Sequence, residues 1–131
     1  MSILLNADPR RSTTPEYMPS LRVNDTKAGW HSKPVNELIM IKGERGYSWL
    51  YWSDGSKQIM AYTIKHYADR LPENDFLRVH QNHVVNQKFV RKTLLTHRGP
   101  VLRMACGAEI IVSRRRWTMV KKALQHLSII D

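Results

Sequence analysis

The stretch FLRVHQNHVVN, residues 76–86, is apolar enough to form a strand yet carries Arg78, His80, Gln81, Asn82, His83 and Asn86. A strand buried in a core would place apolar side chains at most of those positions. Here they supply hydrogen-bond donors and acceptors able to reach phosphates or base edges, in a chain of formal net charge +10. The stretch predicts a strand that carries a polar loop to an anionic partner.

Working outward, the 131 residues suffice for one domain with a core and are too few for two ordinary ones. A hydrophobic fraction of 42%, with four Trp and five Tyr, suits a globular fold. Twenty-one Lys and Arg stand against eleven Asp and Glu, and the sequence pI is near 10.1, which favours nucleic acid or an anionic membrane surface as partner. The single cysteine, Cys106, excludes an intrachain disulfide framework and fits a reducing, cytoplasmic setting. Its surroundings, VLRMACGAEIIV, predict a buried inert thiol rather than a nucleophile. The start, MSILLNADPRR, has too short an apolar run for a signal peptide, and no stretch approaches membrane-spanning length. A soluble protein is expected.

Residues 1–18, with Asp8, Pro9, Arg10, Arg11, Pro15 and little periodicity, read as an irregular N-terminal arm, leaving residues 19–131 as the domain. From Leu21 onward short strand-like segments recur: LRV, Trp30 to Lys33, LIMIK at 38–42, YSWLYW at 47–52 and KQIMA at 57–61. Asp54-Gly55 between the last two is a hairpin signal, since both residues tolerate positive φ. Thr63 caps a short helix whose face is Ile64, Tyr67, Ala68 and Leu71, and Leu71-Pro72 ends it. Phe76 to Val79 reads as a strand, Val84 to Val90 as a turn-bearing connection, and Lys92 to Thr96 as a further strand. VLRMA and EIIVS form a hairpin around Gly107. Ser113 then opens a terminal helix in which Trp117, Val120, Leu124 and Leu127 share a face. The expected fold is mostly β with two short helices, the last at the C-terminus.

Between Lys88 and Lys122 ten basic residues face one acid, Glu109. Such a run is ordinarily a solvated face, but charges of one sign point to anion contact. Arg114, Arg115 and Arg116 occupy the first turn of the terminal helix, where each opposes the macrodipole by about 0.3–1 kcal/mol. An approaching phosphate would reverse that penalty.

Three parts of the chain carry a resemblance. The first is Leu71-Pro72, then Phe76, Arg78, Val79, His80 and, after a gap, Val84, Val85 and Asn86; the second is Ser113-Arg114-Arg115 opening the last helix; the third is LIMIKGERGYSWLYWSDG, with Tyr47 at the far end of its loop. In that order they resemble a LytTR-type DNA-binding domain, the output module of many bacterial response regulators, over roughly Leu21 to Leu127. The resemblance implies an elongated arrangement of small antiparallel sheets that enters the major groove with loops rather than a recognition helix. It implies a transcriptional regulator of the bacterial cytoplasm, bound to duplex DNA at direct repeats, with two copies forming a homodimer on DNA. No cofactor, metal or covalent chemistry is implied.

Carried over by position, the base-contacting places are Tyr47, Gln81 and Arg115, while Lys42, Arg45, His80, Asn82, Arg114 and Asn86 would contact phosphates or brace the loops. Arg116 joins them through the basic cluster. The chemistry is compatible: arginine pairs bidentately with guanine and glutamine with adenine. Tyr47 offers one hydroxyl, equally suited to a phosphate or its own strand, and His80 to a phosphate or the loop. Asn86 suits a turn-fixing bond better than a base contact. The chain departs from the family at Asn82, where serine is common, and at His83, where a bulky apolar residue is common, which bears on the preferred DNA sequence. No room is seen for a phosphoacceptor receiver domain.

Two other functions fit parts of the sequence. His80 and His83 could share the metal of a nuclease, but no neighbouring Asp, Glu or Cys completes a ligand set. Trp49, Tyr51 and Trp52 could stack unpaired bases in a small basic RNA-binding protein, although one face of that hairpin must be buried.

Overall fold

The structure is a computed structural model that describes residues 20–126 and the backbone of residues 129–130. The predicted N-terminal arm and Leu127 lie outside the described residues. Strands β1 (Ser20–Asp25) and β2 (Gly29–Pro34) form a hairpin, and β3 (Leu38–Glu44), β4 (Tyr47–Trp52) and β5 (Lys57–Met60) a meander. Helix α1 (Ile64–Ala68) follows, then β6 (Phe76–His80) and β7 (His83–Asn86), β8 (Val90–Thr96), β9 (Gly99–Met104), β10 (Glu109–Ile111), helix α2 (Arg114–Ala123) and β11 (Ile129–Ile130). The central sheet runs β5-β4-β3-β7-β6 and a second sheet β10-β9-β8-β11. All pairings are antiparallel except β11 with β8. Among the described residues no helix is long and apolar enough to cross a membrane.

The central sheet is covered on both faces. Leu21 and Val23 of β1, Ile64 and Tyr67 of α1, and Leu38, Ile41, Leu50, Trp52 and Val84 fill one core. Leu77, Val79 and Val85 meet Leu102, Met104, Val120 and Leu124 in the other. That two-sided burial explains why residues 84–86 are strand rather than connection: Val84, Val85 and Asn86 are all buried, so the alternation that marks a one-sided strand is absent. Between Leu38 and Met40 the register of β3 shifts against β4, so the consecutive Ile39 and Met40 both serve the second core.

Several local signals form as their chemistry dictates. Thr63 Oγ1 accepts from His66 N at 3.2 Å, capping α1. In the β4–β5 turn only Gly55 takes positive φ (89°), while the Asp54 carboxylate accepts from Ser56 N at 2.8 Å and Ser56 Oγ at 2.6 Å. Cys106 corrects the expectation of a buried thiol. It is exposed at the β9–β10 corner, where Gly107 has φ 92° and Met104, 1% exposed, takes the inward position.

Candidate nucleic-acid interface

The β6–β7 hairpin closes on the pair His80–His83, so its loop is Gln81 and Asn82 alone. The register of β6 shifts between Arg78 and His80, a bulge that buries Val79 and re-aims the strand end. Three backbone groups of the tip are held by neighbours. Arg78 Nη2 donates to Gln81 O at 2.8 Å, Asn82 N donates to His80 Nδ1 at 3.2 Å, and Gly43 N donates to Asn82 O at 2.8 Å. The side chains of Gln81 and Asn82 are left exposed.

The Gly43 bond ties this tip to a second loop. In β3–β4, Arg45 (φ 53°) and Gly46 (φ 86°) both take positive φ, the signature of a type I′ turn between twisted strands. Lys42, Arg45 and Tyr47 are exposed around it. Lys42 lies opposite His83 in the β3–β7 pairing, which places both loops at one end of the central sheet.

The third element arrives through Ser113, whose N–H donates to Val79 O at 2.9 Å and pins the start of α2 to the β6 bulge. The Ser113 side chain makes no capping bond, and the first turn holds no acid. Arg114 and Arg115 are exposed and Arg116 is half-buried. Burial, then the Arg78 and Arg115 guanidiniums, push the Arg116 pKa below its usual value, a sign of cations crowded together. His80, Gln81, Ser113 and the three arginines line one hollow of about 430 Å³.

His83 sits beneath the tip, its ring centroid 5.8 Å from that of His80. Desolvation first, then His80 and Lys42, push its pKa down to about 4, so it is neutral near pH 7. Between its usual value and about 4, the unfolded chain binds the proton that the folded one refuses. Stability is therefore expected to fall as pH drops through that window, by about 1–3 kcal/mol from this residue. Chemical denaturation at stepped pH measures it; His83→Leu should flatten the profile.

One expectation narrows and another changes. Asn86, placed among residues that would contact phosphates or brace the loops, is 3% exposed and so not a DNA contact: its Nδ2 donates to Leu38 O at 2.9 Å and its Oδ1 accepts from Lys88 N at 3.2 Å. It is a brace that holds β7 to β3. The basic run is also not one surface. Lys88 lines a separate hollow with Phe76, at the other end of β6 from His80, and Arg103 Nη2 is paired with Glu109 at 2.7 Å. Gly43, which in the sequence reads only as punctuation between strand-like segments, belongs to the site as well; a glycine within a strand pattern implies close approach of another group.

Among the described residues no three His, Cys, Asp or Glu side chains cluster to hold a metal. Of the candidate stacking aromatics, Trp52 is buried, and Trp49 is half-buried with Lys57 Nζ 5.0 Å from its ring centroid.

A sequence profile described as the LytTr DNA-binding domain matches residues 28–125. The chain belongs to the LytTR family of DNA-binding domains. Among solved structures, one described as the LytTr DNA-binding domain of a methyl-accepting/DNA response regulator from Bacillus cereus aligns with a TM-score of 0.71 and 19% identity. That alignment covers 82% of this chain and 97% of that one, and it shows the shared fold. A comparison with curated proteins gives no match. The family is one of DNA-binding domains, so DNA is the partner that membership in it implies.

Gly43 joins the LytTR loops to the core. A Cβ there would lie 3.1 Å from Ile64 Cβ and 3.3 Å from its Cγ2, and Ile64 is buried at the start of α1. Gly43→Val is expected to destabilise by about 1–3 kcal/mol through overpacking. It should also weaken DNA binding, because the amide holding Asn82 must move. Paired melting curves and DNA titrations check both.

Proposed function

We propose that this domain binds duplex DNA sequence-specifically, placing the Gln81–Asn82 tip, the Lys42–Tyr47 loop and the start of α2 in the major groove, and so regulates transcription in a bacterial cytoplasm. Two copies would occupy directly repeated half-sites. The observation that carries the reading is the hollow shared by Gln81 and Arg114, Arg115 and Arg116, beneath a helix start with no capping side chain and no acid. The Gln81 side chain is exposed, so its amide can meet adenine N6 and N7 while the exposed Arg115 meets guanine O6 and N7. Arg114, Arg116, Lys42 and Arg45 surround these readers with charge for phosphates, as His80 and Asn82 do with hydrogen bonds.

Selection from a random duplex library would define the site. On the selected sequence, Arg115→Ala is expected to weaken binding by about 1–3 kcal/mol and to relax preference at one base pair. Lys121→Ala, roughly 10 Å further along α2 by helical rise, should lower affinity only slightly and leave preference intact. If Arg115→Ala left affinity and preference unchanged, the base-reading assignment would fail.

A further inference from the structure

A second cavity, of about 700 Å³, opens between the β1–β2 hairpin and α1 and shares no lining residue with the loop hollow. Its size is that of a small-molecule site. Arg22 and Trp30 come from the hairpin; Tyr62, His66, Tyr67 and Arg70 come from α1 and its flanks. The walls are aromatic and ordered against each other. Tyr62 stacks on His66 with centroids 4.4 Å apart, and Tyr67 meets both edge-on at 6.1 and 5.1 Å. Trp30 and Tyr62 nevertheless remain 53% and 44% exposed, an apolar surface uncovered among the described residues that a flat ligand would fill.

The polar groups set the rest of the ligand. Tyr67 is 3% exposed, and its hydroxyl is buried without a hydrogen-bond partner among the described residues. Burial, then Tyr62, push its pKa up to about 12, so it stays a donor. An unpaired buried donor is a standing penalty, which a ligand acceptor relieves only when α1 shifts enough to expose the hydroxyl. Arg22 lies 5.9 Å from the Trp30 ring centroid, and Arg70 Nη1 donates to His66 O at 2.8 Å; neither pairs with a carboxylate among the described residues. Of the two acids in the lining, Asp69 is paired with Lys65 at 2.8 Å, which leaves Glu73 against two arginines. The balance favours an anion.

We propose that this cavity binds a planar aromatic ligand carrying one anionic group, such as a carboxylate, and that its occupancy is coupled to DNA binding. The coupling rests on the DNA-binding reading; the ligand site does not. The path is short: Tyr67 sits on α1, Ile64 at the other end of that five-residue helix presses on Gly43, and Gly43 N holds Asn82 O. A ligand that shifts α1 therefore acts on the joint between two loops.

The test is an amide NMR titration of the full chain with sodium 2-naphthoate and, as the neutral isostere, 2-naphthylmethanol. Saturable shifts are expected at Trp30, Tyr62 and Tyr67, with the alcohol binding about fivefold more weakly for want of the charge-assisted bond. Tyr62→Ala, an exposed position, should weaken naphthoate by about tenfold and leave the melting temperature near that of the parent. No saturable shift at those amides, equal affinity for the alcohol, or an indifferent Tyr62→Ala would overturn the site. Saturating naphthoate should also change DNA affinity by about threefold or more. An unchanged DNA affinity at saturation would overturn the coupling alone, since the naphthoate arm is read without DNA.

Discussion

Trp52→Ala is expected to destabilise the domain by about 3–5 kcal/mol, the range for deleting a large aromatic from a packed core. Trp52 is 1% exposed and lies opposite Leu38 at the end of β4, within the core shared by β1, α1 and the central sheet. Its Nε1 donates to Gln58 Oε1 at 2.9 Å, and Lys33 Nζ lies 4.5 Å from its ring centroid. Alanine would leave a cavity, and it would also orphan the carbonyl of Gln58, which is itself buried. Against a total stability of about 5–15 kcal/mol, the loss is a large fraction and corresponds to roughly 10–20 °C in melting temperature. Trp52→Phe separates the contributions, since it keeps most of the packing and removes the donor; its loss should be about 1–2 kcal/mol. Denaturant titration of the three proteins measures both. A loss below about 1 kcal/mol for alanine would contradict the burial of this face.

The elements that sequence chemistry predicts well are those whose signals are local. Thr63 caps its helix through a residue three positions on, and Asp54 turns its hairpin through one two positions on. The features that carry no local signal depend on partners far along the chain. Asn86 carries a turn-fixing signal and its Oδ1 does accept from Lys88 N, but its second bond, to Leu38 O 48 residues away, has no local mark. Residues 84–86 lack alternation because both faces of their sheet are covered, a fact that belongs to the assembled sheet rather than to the segment. Glu109 seems a lone acid in a basic run, but the β9–β10 register sets it opposite Arg103. The juxtaposition of the three loops likewise rests on two backbone bonds, Gly43 N to Asn82 O and Ser113 N to Val79 O, whose donors and acceptors every residue type carries. Side-chain identity cannot announce such bonds.

Raising salt from about 50 to 200 mM is expected to weaken DNA binding by roughly a hundredfold per bound domain, comparable to the largest effect expected of a single substitution at the loops. The figure follows from four cations assigned to phosphates, Lys42, Arg45, Arg114 and Arg116, each contributing about −0.9 to the log-log slope. Net charge alone would predict that any of the basic residues matters equally. Placement predicts otherwise. Arg114 is exposed beside the Gln81 hollow, at a helix start with neither a capping side chain nor an acid, so Arg114→Ala should make the slope shallower by about one. Lys88 stands at the other end of β6, so Lys88→Ala should leave the slope unchanged although it removes the same charge. Fluorescence anisotropy across a salt series distinguishes the two. A near-flat dependence, or equal slopes for both variants, would mean that diffuse charge rather than the loop cluster meets the backbone.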